Sequence, residues 1–461
     1  MSHGQCILPA DASGRVLDRI AGLAQVIRPE DLRQALAATG RVDSRACLLT
    51  HEVVLWIVLA MGIFTEVPIR QVFKLCRRFR LGERSPHRSS LCVARRRLGV
   101  APVRHLFERI ARPLAKLETP GSFYRGMRLM GIDGTVLNVP DSAANAAAFG
   151  RPSGPFGVGA FPQVRKLSLV ELGTHVEIGM VFKAIRCGER SMVGALLRHL
   201  NPEMLLLLDQ GFFSNDLWRD LVKQGVNVLA RTTTQMILCP IQTLPDGSYL
   251  AKIYKGEYNR NKDREGVVVR VIRYTLDDPQ RVGHGEVHVL ITTLLDETLY
   301  PAHELIELYH ERWEHEITFD EQKTHQDPKR VNKPAQLRSE TPAGVIQELY
   351  ALSIAHFVIR SLMFESAETT GLDPDRLSFC GCFQILRCRL PECPSESPAK
   401  IQQWYEGVLW EMQQEQTEPR RNRINPRVIK QPRSKWKTKR PEHRHLPPMK
   451  KTFMETVVMA R

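Results

Sequence analysis

The stretch YHERWEHEITFDEQK, Tyr309 to Lys323, sets five acids among three aromatic rings, Arg312 and Lys323. On a helix advancing about 100° per residue, Tyr309, Arg312, Glu316 and Lys323 fall within roughly 60° of one another, and Asp320 joins them. Glu311, Glu314 and Glu321 turn to the opposite side, which reads as solvated. Arg312 and Glu316, four apart, could form an ordinary surface ion pair worth a few tenths of a kcal/mol. Trp313 and Phe319 flank the stripe, however, so the face reads as partly buried, and a carboxylate there needs a base or a metal as partner.

Two further acids sit in parallel settings. "MRLMGIDGT" places Asp133 where an apolar strand meets Gly134, and "MLLLLDQGFFS" does the same with Asp209. Open α/β sheets gather their sites at the carboxyl ends of strands; an Asp there can equally end a strand or start a turn. Three carboxylates from two strand ends and a helix can hold two Mg²⁺ ions about 3.5 to 4 Å apart, the arrangement that serves phosphodiester displacement. Mg²⁺ binds oxygen and keeps some waters, so few protein ligands suffice. Lys and Arg beside such a site suit phosphate oxygens.

The elements that must position these residues follow from periodicity. From Ile27 to Arg97 apolar residues recur at three and four residue steps, through "HEVVLWIVLAMGIF" and "VPIRQVFKLCRRF", and "SSLCVARRRLG" reads as another helix. This helical module could bind DNA through Arg95, Arg96 and Arg97, or be a packing unit with solvated bases. After "PGS" at Pro120 to Ser122, strand-like runs appear: "MRLMGID", "VRKLSLVEL", "HVEIGMVFKA", "MLLLLD" and "VNVLAR". Helical stretches, "MVGALLRHL" and "NDLWRDLVKQ", flank the fourth, which together predicts an α/β sheet. Residues 232–293 read as a mostly β insertion carrying "GVVVRVIRY" and "EVHVLITT". A long helix is expected from about Ala302 to His325, then apolar helices over Tyr350 to Met363 and Pro374 to Leu390.

Lys plus Arg outnumber Asp plus Glu by 65 to 50 in 461 residues, a formal charge of +15 that points to a polyanionic partner. Much of it lies between Arg420 and Lys451, where thirteen bases face one acid, and Arg70 to Arg97 holds ten bases against Glu83. The tail is expected to lack fixed structure without a partner. The longest apolar run, Val53 to Phe64, is about half of the ~20 residues of a spanning helix, and no secretory pattern opens the chain. The protein therefore reads as soluble and intracellular, without a membrane partner. Ten scattered cysteines read as core thiols; Cys380, Cys382, Cys388 and Cys393 lack the paired knuckles of a zinc site.

Tyr309, Arg312, Glu316 and Lys323 fit Y-x2-R-x3-E-x6-K, and here the chain resembles the DDE transposases of the insertion sequence 4 family. "GIDGT", "DQGFFS", "FGRPSGPFGVGAFPQVRKL", the N-terminal "IRPEDLRQALAATGRVDSRACLLTHEVVLWIVLAMGIF" and the C-terminal "DPDRLSF" and "RNRINPRVIK" resemble other blocks of that family, so the likeness spans nearly the whole chain. It implies a ribonuclease H-like α/β catalytic core over 123–365 with the β-rich insertion at 232–293. A leader (1–24) and a helical N-terminal DNA-binding domain (25–122) would precede it, with a helical region (366–415) and a basic tail (416–461) after it. Asp133, Asp209 and Glu316 would bind two Mg²⁺ ions, with Mn²⁺ as a substitute; only the family spacing selects Glu316 over Asp320. Tyr309, Arg312 and Lys323 would hold DNA phosphates, with Trp313, Arg427 and Lys430 as further contacts.

The activity implied is cut-and-paste transposition by a homodimer that pairs two double-stranded ends in the bacterial cytoplasm, at the nucleoid. Terminal inverted repeats would be bound and nicked, the freed 3′-hydroxyl would form a hairpin, and strand transfer into target DNA would follow. His315 departs from the usual aliphatic residue, Gln210 from a common basic one, and the insertion lacks the Trp that relatives use to stack a flipped base. Tyr249, Tyr254, Tyr258 or Tyr274 could stack instead. The alternatives are a catalytically inactive DNA-binding repressor derived from a transposase, and a two-metal nuclease without strand transfer.

Overall fold

The structure, a computed structural model, describes residues 17–45, 47–154, 157–275, 285–326, 337–394 and 397–418. Most of the basic tail, with Arg427 and Lys430, lies outside the described residues.

Five helices open the chain: α1 (Pro29–Ala38), α2 (His51–Ile63), α3 (Ile69–Cys76), α4 (Arg88–Leu98) and α5 (Ala101–Ile110). The side chain of Thr50 caps α2 by accepting from the Val53 N–H, and every residue from Val53 to Ile63 is buried. A helix apolar on all sides needs a partner on all sides. The residues expected as the end of a leader belong to this core: Asp18–Gln25 form a 3-10 segment with Leu17, Ile20 and Leu23 buried.

The longer strands of the ten-stranded sheet are β1 (Met127–Asn138), β2 (Gln163–Glu171), β3 (Val176–Ala184), β4 (Met204–Leu208), β5 (Asn227–Thr232), β6 (Tyr249–Ile253), β7 (Val267–Tyr274) and β8 (His288–Thr292). Helix α6 (Asn215–Lys223) joins β4 to β5. The spatial order is 3-2-1-4-5-8-7-6, with β1, β4 and β5 parallel and the other pairs antiparallel. Central β4, MLLLL, is wholly buried, as a parallel strand covered on both faces must be. The strands after β5 form no separate layer: β8 pairs with β5, Val289 opposite Thr232, and extends the same sheet. Buried Arg270 of β7 pairs with Asp246, whose carboxylate accepts from the Ala302 N–H at 3.0 Å and so fixes the start of the next helix.

That helix, α7 (Ala302–Tyr309), runs through a 3-10 turn (His310–Trp313) into α8 (Glu314–Asp320) and a π-helical turn (Glu321–Gln326). Then comes α9 (Pro342–Glu368), capped by Thr341, and α10 (Phe379–Arg389) and α11 (Pro398–Gln413) close the described chain. By length and composition α9 could cross a membrane, but 78% of its apolar stretch is buried inside the protein. It lies along α2, where a Cβ at Gly62 would strike the carbonyl of Ala351. One apolar core runs from Leu17 to Met412. The expected boundary at residue 365 falls inside α9. Of the four clustered cysteines, Cys382 and Cys393 are buried and Cys380 and Cys388 exposed.

Candidate active site

The last paired rung between parallel β1 and β4 is Ile132 opposite Leu208. Asp133 and Asp209 are the next residue on each chain, Asp133 still within β1 and Asp209 just past the end of β4. Contrary to the sequence reading, β1 does not end there: it continues to Asn138, with Asp133 opposite Ser168 of β2. What ends is its parallel neighbour. Burial drops accordingly, from Ile132, buried, to Asp133 and Thr135, half-buried.

The helical run crosses this opening. Tyr309 donates its hydroxyl to the Leu208 carbonyl at 3.1 Å. Arg312 reaches the Asp133 carboxylate at 3.7 Å and that of Glu316 at 3.4 Å. Lys323 Nζ donates to Thr135 Oγ1 at 2.7 Å. The stripe thus survives the change from 3-10 to α to π geometry, with Tyr309 turned toward β4. Tyr309 is buried, and its hydroxyl is committed to β4.

The charges respond to this packing. Burial pushes the Asp133 carboxyl up to about 6, against the Gly134 N–H at 2.7 Å and Arg312, and with Glu316 and Glu189. Burial disfavours the Arg312 cation, yet Tyr309, Asp209, Asp133 and Glu316 together raise its pKa above the ordinary value. Asp320, the rival on helical geometry, instead accepts from Thr324 at 2.6 Å and lies 3.5 Å from His325, on an exposed side. Glu316 is itself exposed, so the front face is open. Asp133, Asp209 and Glu316 offer only carboxylate oxygens, the donor set for a hard divalent cation.

Glu314 and Glu321 overturn the expectation of a solvated back. Glu321 is buried and pairs with Arg360 and His356 of α9, the latter at 2.9 Å. His175, in the turn between β2 and β3, lies 2.8 Å from Glu314 and 3.2 Å from Glu321. Burial and Arg360 push the His175 pKa down, but Glu321, Asp375 and Glu314 outweigh them and raise it to about 9. Burial alone would raise the Glu321 carboxyl; Arg360 and His175 hold it well below the usual carboxylate range. Among the described residues, His175, Glu314 and Asp375 bring metal-ligand atoms within 4.8 Å of one another. The Arg360 guanidinium, paired with Glu321 beside these groups, makes this cluster part of a buried ionic knot. Glu311 is half-buried.

His315 bridges the two faces. Its Nε2 meets Ser168 Oγ at 3.0 Å, and it packs over Gly131, where a Cβ would come within 3.2 Å of Nδ1. Burial pushes its pKa down to about 3, so the ring is neutral. An aliphatic residue could fill this space but not make the bond to the strand partner of Asp133.

The remaining expected contacts divide. Trp313 is exposed, with the Arg312 guanidinium 5.1 Å from its ring centroid. Arg96 and Arg97 are exposed on α4. Arg95 bonds Gln347 at 2.9 Å, the Gly344 carbonyl at 2.6 Å and Glu348 at 3.3 Å, fastening α4 to α9. Thr135, Ser168, Glu189 and Arg190 were not foreseen. Thr135, two residues after Asp133 and so on the same strand face, was legible; the turn holding Glu189 and Arg190 carries no periodic signal.

Residues 17–108 match the family described as insertion element 4 transposase N-terminal, and residues 124–357 match the family described as transposase DDE domain. Transposase InsG for insertion sequence element IS4, from Escherichia coli (strain K12), is 28% identical over 447 residues, covering 95% of this chain and 98% of that protein. A cryo-EM structure of the piggyBac transposase synaptic complex with hairpin DNA aligns over 86% of both chains, with a TM-score of 0.44 and 13% identity.

Proposed function

We propose how this chain, which belongs to the DDE transposase family and carries the insertion element 4 type of N-terminal region, performs DNA transposition. Strands β1 to β5, in the order 3-2-1-4-5, are read as a ribonuclease H-like core, and β6 to β8 as the insertion between the second and third acids. Asp133, Asp209 and Glu316 are the cation-binding triad. The donor chemistry fits Mg²⁺ or Mn²⁺, and so does the raised Asp133 carboxyl, a group whose ionised form gains from an added positive charge. Two such ions would stabilise the attacking and leaving oxygens of in-line displacement at phosphorus.

The chain's own side chains supply the rest. Arg312 stands among the acids and orients Glu316. Lys323, braced by Thr135, presents its ammonium to a phosphate of the transposon end. Tyr309 holds the helix against β4. Trp313 offers an exposed ring, and Arg96 and Arg97 add DNA contacts from the N-terminal region. Within the insertion Tyr258 is the open stacking surface: it is exposed with Lys262 over one face, whereas the Tyr249 and Tyr254 hydroxyls are bonded and Tyr274 stacks on His288. The reading includes recognition of terminal inverted repeats, a hairpin step, and two copies holding two ends.

The observation that carries it is the register: Asp133 and Asp209 directly follow the paired Ile132 and Leu208, and Arg312 lies 3.7 Å from Asp133 and 3.4 Å from Glu316. Purified protein incubated with Mg²⁺ and a labelled element-end duplex should yield nicks and then hairpins. Duplex that is bound but uncut would leave the repressor reading instead.

A further inference from the structure

Beyond the Ile132–Leu208 rung no ladder hydrogen bond fixes Asp133 relative to Asp209, because β4 ends and its chain leaves as a 3-10 turn, Gln210–Phe212. Two adjacent residues of the turn after β3 act at that gap. Glu189 lays its carboxyl group against Gly134: a Cβ built on that glycine would meet the Glu189 Cδ at 2.5 Å and Oε1 at 2.6 Å. Arg165 of β2 pairs with the same carboxylate and holds it in place. Arg190 donates from Nε to the Gly211 carbonyl at 2.6 Å, two residues past Asp209. One dipeptide thus touches the chain just past each aspartate, at Gly134 and at Gly211.

Resting on the proposed triad, we infer that Glu189 and Arg190 are positioning residues that clamp the two aspartate-bearing strand ends in register for divalent cations. Glu189 sets the Asp133 side through Gly134, and adds a negative charge beside the triad that favours a cation there. Arg190 sets the Asp209 side through the Gly211 carbonyl. A long residue at position 134 would evict Glu189, which assigns a packing reason to glycine in "GIDGT".

The test uses the full chain and Mn²⁺ or Mg²⁺ alone as the probe. Glu189→Gln and Arg190→Ala should each raise the Mn²⁺ concentration that half-saturates the upward shift in unfolding temperature by about tenfold, as loss of an outer partner of a metal site does. The Mg²⁺ dependence of duplex nicking should move in parallel, while cation-free unfolding temperature and metal-free DNA binding stay at wild-type values. Gly134→Ala should weaken cation binding in the wild-type background and add nothing in a Glu189→Ala background. Unchanged half-saturation in both clamp variants, or additive effects of the Gly134 and Glu189 changes, would overturn the clamp. A wild-type protein that shows no cation response at all would overturn the triad beneath it.

Discussion

The helical run from Ala302 to Gln326 has two faces of opposite character. Its back meets the turn holding His175 and part of α9, and two of its acids have counter-charges there: Glu314 and Glu321 with His175, Glu321 also with Arg360. The neighbouring Gln322 joins a second buried pair, accepting from Lys166 at 2.7 Å and donating to Glu177 at 2.8 Å. Its front, with Arg312, Glu316 and Lys323, opens where β4 stops. There the balance is unfavourable: a pKa of about 6 for Asp133 corresponds to a cost on the order of 3 kcal/mol for its ionised form at neutral pH. Acid density is therefore no guide to chemistry. The satisfied acids hold the fold, and the poorly satisfied one belongs to the proposed site.

The contrast can be broken at several points. Asp133→Asn should lower strand cleavage by at least about 10³-fold, since several kcal/mol of metal-borne stabilisation would go. Its unfolding temperature should equal or exceed the wild type, because a disfavoured charge is removed. Calorimetry beside a nicking assay measures both. Glu321→Ala should do the reverse: breaking a buried pair costs about 3 to 5 kcal/mol, so denaturant melts should show a large loss of stability.

Smaller effects sharpen the picture. Arg95→Ala should cost roughly 1.5 to 3 kcal/mol of stability through its lost bonds to α9, whereas Arg96→Ala with Arg97→Ala should leave stability alone and reduce the salt slope of DNA binding by about 2. For His175 the folded pKa, about 9, lies above the ordinary value of 6.5. Its contribution is then complete below pH 6.5 and is lost as pH rises through 9. Unfolding temperature should fall across that window, and His175→Gln should flatten the fall.

Much of this was legible in the sequence. Seven of the strands β1 to β8 announced themselves as β-branched or leucine-rich runs; β6, the short YLAKI interrupted by Lys252, did not. The helical arithmetic set Glu316 apart from Glu314 and Glu321, as in the structure, because 3-10 and π turns deviate in opposite senses from 100° per residue; Asp320, which it grouped with Glu316, bonds instead to Thr324. Which side was wet was not readable. That depends on His175 and α9, remote in sequence, and a buried ion pair has the same letters as a solvated one. Arg95, Arg96 and Arg97 make the same point: of three identical neighbours one is bonded to α9 and two are exposed, and only α9 distinguishes them. Asp133 was singled out by its place after an apolar run, but the reason that it is accessible lies in where its neighbour strand ends.

The most direct test compares Glu316→Gln with Asp320→Asn, in Mg²⁺, on a labelled element-end duplex. The account predicts that the Glu316 variant binds the duplex and leaves it intact, while the Asp320 variant nicks it at close to the wild-type rate. Nicking by the Glu316 variant, or its loss in the Asp320 variant alone, would contradict the assignment of the front face.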